Sequence, residues 1–156
     1  MKKQRTVVLV KPDGMQRGLI GEIIHRFERK GLKLVALKMT RLTDDILDEW
    51  YVHHKEKSFF SDLKKFMMWT PIIAMVWEGV EAIPAVRKIV GTTKGREAEG
   101  GSIRGDFGMS GSYNLIHASD SGESAKKEMD LIFSKDDIFE YESAVECLIY
   151  SKEEVN

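Results

Sequence analysis

The sequence has very little that would cross-link the chain or break it up: one cysteine and three prolines in 156 residues. A single cysteine, Cys147, excludes an internal disulfide and any zinc cluster built on cysteine pairs. It lies in an apolar C-terminal stretch, which predicts a packed thiol, with a reactive one as the alternative. Long hydrophobic runs are also missing. The longest, Pro71–Trp77, is far too short to cross a bilayer. Lys2, Lys3 and Arg5 precede Val7–Val10 in the manner of a secretory leader, but Lys11-Pro12-Asp13 ends that run before an apolar region or cleavage site forms. The expectation is a cytoplasmic protein with no membrane partner.

Charge of one sign is lacking too. With 24 basic and 25 acidic residues the net charge is −1, and no charged tail stands out, which speaks against general nucleic-acid binding. There are no repeats, low-complexity stretches or linkers. Residues 1–156 therefore read as one domain, with a polar end at Ser151–Asn156 expected to fray. Hydrophobic residues at 42% and charged residues at 31% fit a soluble globular chain. The Gly-x-x-x-x-Gly-Lys-Ser/Thr and Gly-x-Gly-x-x-Gly patterns are absent, so neither a P-loop nor a dinucleotide turn is supported. No His-x-x-x-His pair offers metal spacing. His53 and His54 are adjacent, diverge on a helix, and read as a solvated pair.

What is present alternates in period. Thr6–Val10 is a β-branched run ended by the turn signal Lys11-Pro12-Asp13-Gly14. Leu19, Ile20, Ile23, Ile24 and Phe27 recur at helical spacing, with Gly31 as the stop. Leu32–Met39 reads as a strand, Thr43-Asp44-Asp45 as a helix start, and Ser61–Met68 as a second short helix. Ile72–Trp77 is a buried strand, and Ala82, Ile83, Val86 and Val90 mark a helix. Leu115–His117 is a short last strand, followed by a helix facing inward through Ala125, Met129, Ile132 and Phe133. The order predicts an α+β fold, a ferredoxin-like β-α-β-β-α-β sandwich with helices on one face of an antiparallel sheet. Gly91–Gly111 breaks the pattern with seven of the 13 glycines plus Lys94, Arg96 and Arg104. A long Gly-rich loop before the last strand is either an anion site or a flexible surface excursion.

Few side chains here have the chemistry for catalysis. Lys11 stands at a strand end and Arg87 on a helix, where either is also an ordinary solvated cation. His117 ends an apolar strand ahead of Ala118-Ser119-Asp120-Ser121, a helix start with Ser or Asp as cap. A neutral imidazole can attack phosphorus without prior deprotonation. Glu128 borders the inward face of the last helix, where it either orients that imidazole or sits at the water boundary.

Lys11-Pro12-Asp13-Gly14 with Gln16-Arg17-Gly18 resembles the opening of nucleoside diphosphate kinases. Ile103-Arg104-Gly105-Asp106-Phe107 and Asn114-Leu115-Ile116-His117-Ala118-Ser119-Asp120-Ser121 resemble that family's active-site segment, and the likeness runs from about Arg5 to Tyr150. The resemblance implies a ping-pong transfer of the γ-phosphoryl group between nucleoside tri- and diphosphates through a phosphohistidine at His117. It implies Lys11, Arg87, Thr93, Arg104 and Asn114 on phosphates and sugar, Tyr51 and Glu128 in support of the histidine, and Phe59 stacked on the base. It further implies Mg²⁺ carried mainly by phosphates and water, and a homo-oligomer, hexamer rather than tetramer. Four departures accompany it: no prolines between Thr93 and Arg104, Gly111 in place of an apolar residue, Ser102 for threonine and Ala118 for glycine. A silent nucleotide-binding module, an RNA-binding ferredoxin-like domain and a purely structural oligomer are the rival readings.

Overall fold

The computed structural model describes residues 3–155; Lys2 of the basic cluster and Asn156 of the tail lie outside it. The elements are β1 (Lys3–Val10), α1 (Pro12–Gln16), α2 (Ile20–Lys30), β2 (Lys33–Thr40), α3 (Asp44–Trp50), α4 (Phe60–Met67), β3 (Ile72–Val80), α5 (Ala82–Val90), α6 (Ile103–Phe107), β4 (Ile116–Ala118), α7 (Gly122–Ile132), α8 (Glu146–Ile149) and α9 (Lys152–Val155). The strands form one antiparallel sheet in the order β2-β3-β1-β4, the ferredoxin-like arrangement the element order predicts. Val8 faces Met75 across the central pair, and Leu9 faces His117 on the other side, so β1 carries the last strand and its histidine.

Helices cover both faces of the sheet rather than the one expected. Residues of alternate parity along β1 and β3 enter two separate cores. Val8, Val10, Met75 and Trp77 pack with Ile23, Phe27, Val86 and Ile103 from α2, α5 and α6. Val7, Leu9, Ala74 and Val76 pack with Leu47, Met67 and Ile132 from α3, α4 and α7. This double cover explains why β3 is buried along nearly its whole length, with no polar alternation to read. The α3–α4 excursion between β2 and β3 supplies much of the second layer.

Local chemistry sets most boundaries. Thr43 and Ser121 cap α3 and α7 by accepting the backbone N–H of Ile46 and Ser124. Gly31 ends α2 at φ +92°, a conformation open to glycine at little cost. Lys11-Pro12-Asp13-Gly14 is not a turn but the start of α1, with proline at a position whose missing N–H is not needed. Gly91–Gly111 is likewise not a bare loop. It holds a 3-10 turn at Gly95–Glu97 and α6, capped by Ser102 accepting from the Gly105 N–H at 3.0 Å. A Cβ on Gly105 would lie 2.0 Å from the Glu99 carbonyl oxygen, so close backbone approach demands glycine there.

Two expectations fail near the C-terminus and in the helical excursion. Cys147 is exposed, because α8 is a single turn that sends Ile149 toward Gly31 and leaves Leu148 82% accessible. His54 is not solvated: half-buried, it stacks on Tyr51 at 6.0 Å and tilts on Phe59 at 5.6 Å, while His53 is exposed. In the polar tail, the Ser151 N–H donates to Glu154 Oε2 at 2.8 Å and residues 152–155 wind one turn.

Candidate active site

His117 lies at the middle of β4, half-buried, with Nε2 2.9 Å from Glu128 Oε1 on α7. Glu128 is itself buried, and its other oxygen accepts the Ser119 hydroxyl at 2.6 Å. Ser119 is fixed in turn by accepting the Val7 N–H at 3.0 Å. The edge of Trp50 meets the imidazole at 5.2 Å between centroids. An ionised carboxylate only accepts hydrogen bonds, so Nε2 carries the proton and the lone pair resides on Nδ1. An imidazole held this way has its Nδ1 lone pair free of that bond.

Beside it stands a second cluster. Lys11 is 7% accessible, and its Nζ donates to Asn114 Oδ1 at 2.8 Å and the Ser112 carbonyl at 2.9 Å. The Asn114 amide donates to the carbonyls of Thr93 and Gly111, each at 2.9 Å. Arg104, from α6, spans three carbonyls: Asn114 at 3.2 Å, Gly91 at 3.0 Å and Ile116 at 2.7 Å. Arg87, exposed on α5, reaches the Ala118 carbonyl at 3.4 Å and raises the local positive potential felt by Arg104. The two clusters meet through a γ-turn at Leu115, whose φ is +71° and whose neighbours close an Ile116 N–H to Asn114 carbonyl bond of 2.8 Å. This form of γ-turn is rare and strained.

Burial dominates the electrostatics. It pushes the Lys11 ammonium down to about 8, opposed by Asp13 and reinforced by Arg104. It pushes the Arg104 guanidinium down to about 10, still charged at neutral pH. Tyr51 is pushed up to about 12, by burial first and by the Glu128 charge second, so its hydroxyl stays protonated. Phe59 is 49% exposed at the far end of the Tyr51–His54–Phe59 row.

The lowered Lys11 value gives a first expected result. If the ammonium serves the reaction, kcat/KM, which reports the free enzyme, falls as pH rises through about 8. Lys11→Arg should move that limb upward by at least about one pH unit, since arginine stays charged. The stability sign follows from the same shift. The folded value lies below the unfolded 10.5, so the unfolded chain holds more protons between about 8 and 10.5 and stability rises with pH across that window. A pH profile flat through pH 9 would remove Lys11 from the reaction.

Every residue named from the sequence thus enters one connected neighbourhood: Lys11, Thr93, Asn114 and Arg104 by direct hydrogen bonds, Arg87 through its charge and the strand carbonyl, His117 with Glu128, and Tyr51 with Phe59 by way of His54. Sequence reading placed the helix cap on a Ser or Asp of 118–121, which is Ser121, but missed that Ser119 bonds Glu128. It also missed Trp50 as a ring neighbour of His117, and Asp13, hidden in an apparent turn. No local pattern links residues as far apart as Asp13 and Leu115.

A ferredoxin-like sandwich with a carboxylate-bonded histidine, and buried Lys11 and Arg104 bonded to the residues just before it, has the chemistry of a phosphotransferase. Comparison with known proteins narrows it. The family model "Nucleoside diphosphate kinase" matches residues 4–138. The nucleoside diphosphate kinase of Staphylothermus marinus is 56% identical over 141 residues, 90% of this chain and 100% of that one. That of Parabacteroides distasonis is 50% identical over 151 residues, 97% of this chain and 99% of that one. Among solved structures, the Halobacterium salinarum nucleoside diphosphate kinase in complex with CDP superposes with a TM-score of 0.92 at 41% identity, covering 96% of this chain and 99% of that one. A nucleoside diphosphate kinase family protein from Babesia bovis gives 0.92 at 48% identity, covering 94% and 99%. The chain belongs to the nucleoside diphosphate kinase family, and its activity is the transfer of a terminal phosphoryl group between nucleotides.

Proposed function

We propose that His117 carries the phosphoryl group between the two halves of a ping-pong reaction. The bond between Glu128 and His117 Nε2 is the observation that supports this most directly, since it leaves Nδ1 as nucleophile. Attack on the γ-phosphorus of a nucleoside triphosphate forms the P–Nδ1 bond as the bond to the bridging oxygen breaks and the diphosphate departs. The imidazolium so formed is stabilised by Glu128, and the second diphosphate reverses the path. Lys11, Arg87 and Arg104 balance phosphate charge, which is most of what an enzyme contributes to a loose phosphoryl transition state. Asn114 and Thr93 hold phosphate and sugar oxygens, Tyr51 supports the histidine, and half-exposed Phe59 offers a stacking face that tolerates any base.

Among the described residues no group of three carboxylate, histidine or cysteine side chains could hold a metal ion. The cation-lined site instead suits Mg²⁺ that arrives on the nucleotide, held by phosphate oxygens and its own waters. Bound so, Mg²⁺ would neutralise phosphate charge. We further propose one 1–156 domain assembled as a homo-oligomer, hexamer over tetramer, in the cytoplasm. The exposed Leu37 and Met39 on edge strand β2, and Leu148 in α8, support assembly. Among the described residues no helix is long and apolar enough to cross a membrane. Sedimentation velocity that finds only monomer would overturn the assembly.

Incubation with γ-labelled ATP and Mg²⁺ tests the chemistry. The protein should take up label that is acid-labile and base-stable, and GDP should discharge it into GTP. A chelator should prevent labelling. Turnover without any labelled protein would exclude the phosphohistidine.

A further inference from the structure

Only two described non-glycine residues have positive φ, and one of them, Leu115, lies between the two halves of the site. It follows Asn114 and precedes His117 by two, so its conformation sets how the phosphate-facing cluster stands relative to the nucleophile. A fully buried leucine at φ +71° needs surroundings that hold it there. The segment after β1 supplies them. The Leu115 carbonyl accepts the Lys11 N–H at 2.8 Å, and the Leu115 N–H donates to Asp13 Oδ2 at 2.9 Å. Gly14 lets α1 press against the same turn, since a Cβ there would lie 2.8 Å from the Leu115 oxygen. Asp13 Oδ1 is buried without a hydrogen-bond partner, and its charge acts on both Lys11 and Arg104.

We propose that Asp13 is a positioning residue for phosphoryl transfer: its carboxylate holds Leu115 in the strained γ-turn and so keeps Lys11 and Asn114 in register with His117. The proposal rests on the reading of His117 as nucleophile. Without the carboxylate, the Leu115 N–H loses its acceptor, the turn relaxes toward negative φ, and Asn114 shifts with its Lys11 partner relative to His117. The loss should appear at saturating nucleotide, as a fall in kcat rather than a rise in KM, because the cations remain.

The test compares phosphorylation of His117 by ATP with that by phosphoramidate, a small donor that orients itself. In the second reaction the donor's P–N bond breaks, ammonia leaves, and phosphorus bonds to Nδ1. Asp13→Ala should slow transfer from saturating ATP by about 100-fold. Labelling by phosphoramidate should change by less than about threefold. Asp13→Asn, which still offers an oxygen to the Leu115 N–H, should recover at least about tenfold of the ATP loss. If Asp13→Ala does not fold, as urea unfolding will show, Asp13→Glu replaces it, since the extra methylene displaces the carboxylate from the turn. Equal slowing with both donors would assign Asp13 to general folding and overturn the proposal. So would an ATP rate within about threefold of wild type, or Asp13→Asn no faster than Asp13→Ala. Absence of label on the wild-type protein from either donor would instead overturn the reading of His117.

Discussion

His117→Ala should lower turnover by at least about 10⁴-fold and abolish the labelled intermediate, while nucleotide affinity changes by less than about fivefold. The asymmetry follows from what the imidazole touches. Its ring bonds Glu128 and meets Trp50, while Lys11 and Arg104 bond other groups, so those two cations keep their partners when it goes. No neighbour can take over the attack. The Ser119 hydroxyl already donates to Glu128 and accepts from Val7. Tyr51 is held protonated, with its value pushed up to about 12. The residual rate is therefore that of direct transfer between two bound nucleotides, for which the site offers one set of cations. Rapid-quench measurement of the labelled protein, with equilibrium titration of ATP and GDP, separates the two effects. A turnover loss below about tenfold would mean that phosphorus never bonds to this ring.

How much of this could be read beforehand depends on the range over which each feature is decided. Helices α2, α5 and α7 announce themselves because burial of one helical face requires apolar residues at helical spacing, and Thr43, Gly31 and Ser121 mark boundaries by short-range hydrogen bonds or backbone freedom. Features set by distant packing were not legible. Pro12-Asp13-Gly14 has the composition of a turn yet opens a helix, and the room beside Leu115 and Val10 that only a glycine leaves is not visible in that composition. The second helical layer was hidden because a strand buried on both faces carries no alternation. Cys147 sits among apolar residues yet faces outward, since a single turn cannot bury all its sides.

The site divides in the same way. His117 showed its chemistry in its own residue type, but Lys11, Arg87 and Glu128 are ordinary surface residue types, and resemblance to a family rather than local pattern singled them out. Their physical partners lie far along the chain: Lys11 meets Asn114, and Ser119 closes on both Val7 and Glu128. Resemblance points to positions without saying what holds them. The structure adds that the site is assembled around strand β1, which pairs with β4 and carries Lys11 at its end.

Arg104→Met should cost about 3–5 kcal/mol of stability as well as activity. Arg104 is 7% accessible and bonds the carbonyls of Asn114, Gly91 and Ile116 at once. Methionine fills similar volume but donates nothing, so the Gly91 and Ile116 carbonyls lose the arginine donor and the Asn114 carbonyl keeps only the Ile116 N–H, each lost bond costing about 1–3 kcal/mol before water relieves part of the loss. Burial lowers the arginine to about 10, so a charge is being held there at some desolvation cost; the carbonyls and the phosphates it is proposed to bind offset that cost. Lysine is a poor substitute, because a single ammonium cannot reach three carbonyls with the planar fork of arginine. Arg104→Lys should accordingly fall between wild type and Arg104→Met. For a chain of 156 residues the expected loss corresponds to a fall of about 10 °C in Tm. Urea unfolding checks it: the midpoint should drop with the slope unchanged. In nucleotide kinetics the same variant should lose about 10²–10³-fold in kcat/KM as a phosphate clamp. An Arg104→Met variant as stable as wild type would show that water replaces the arginine at all three carbonyls. The residue would then be held in place for the phosphates alone.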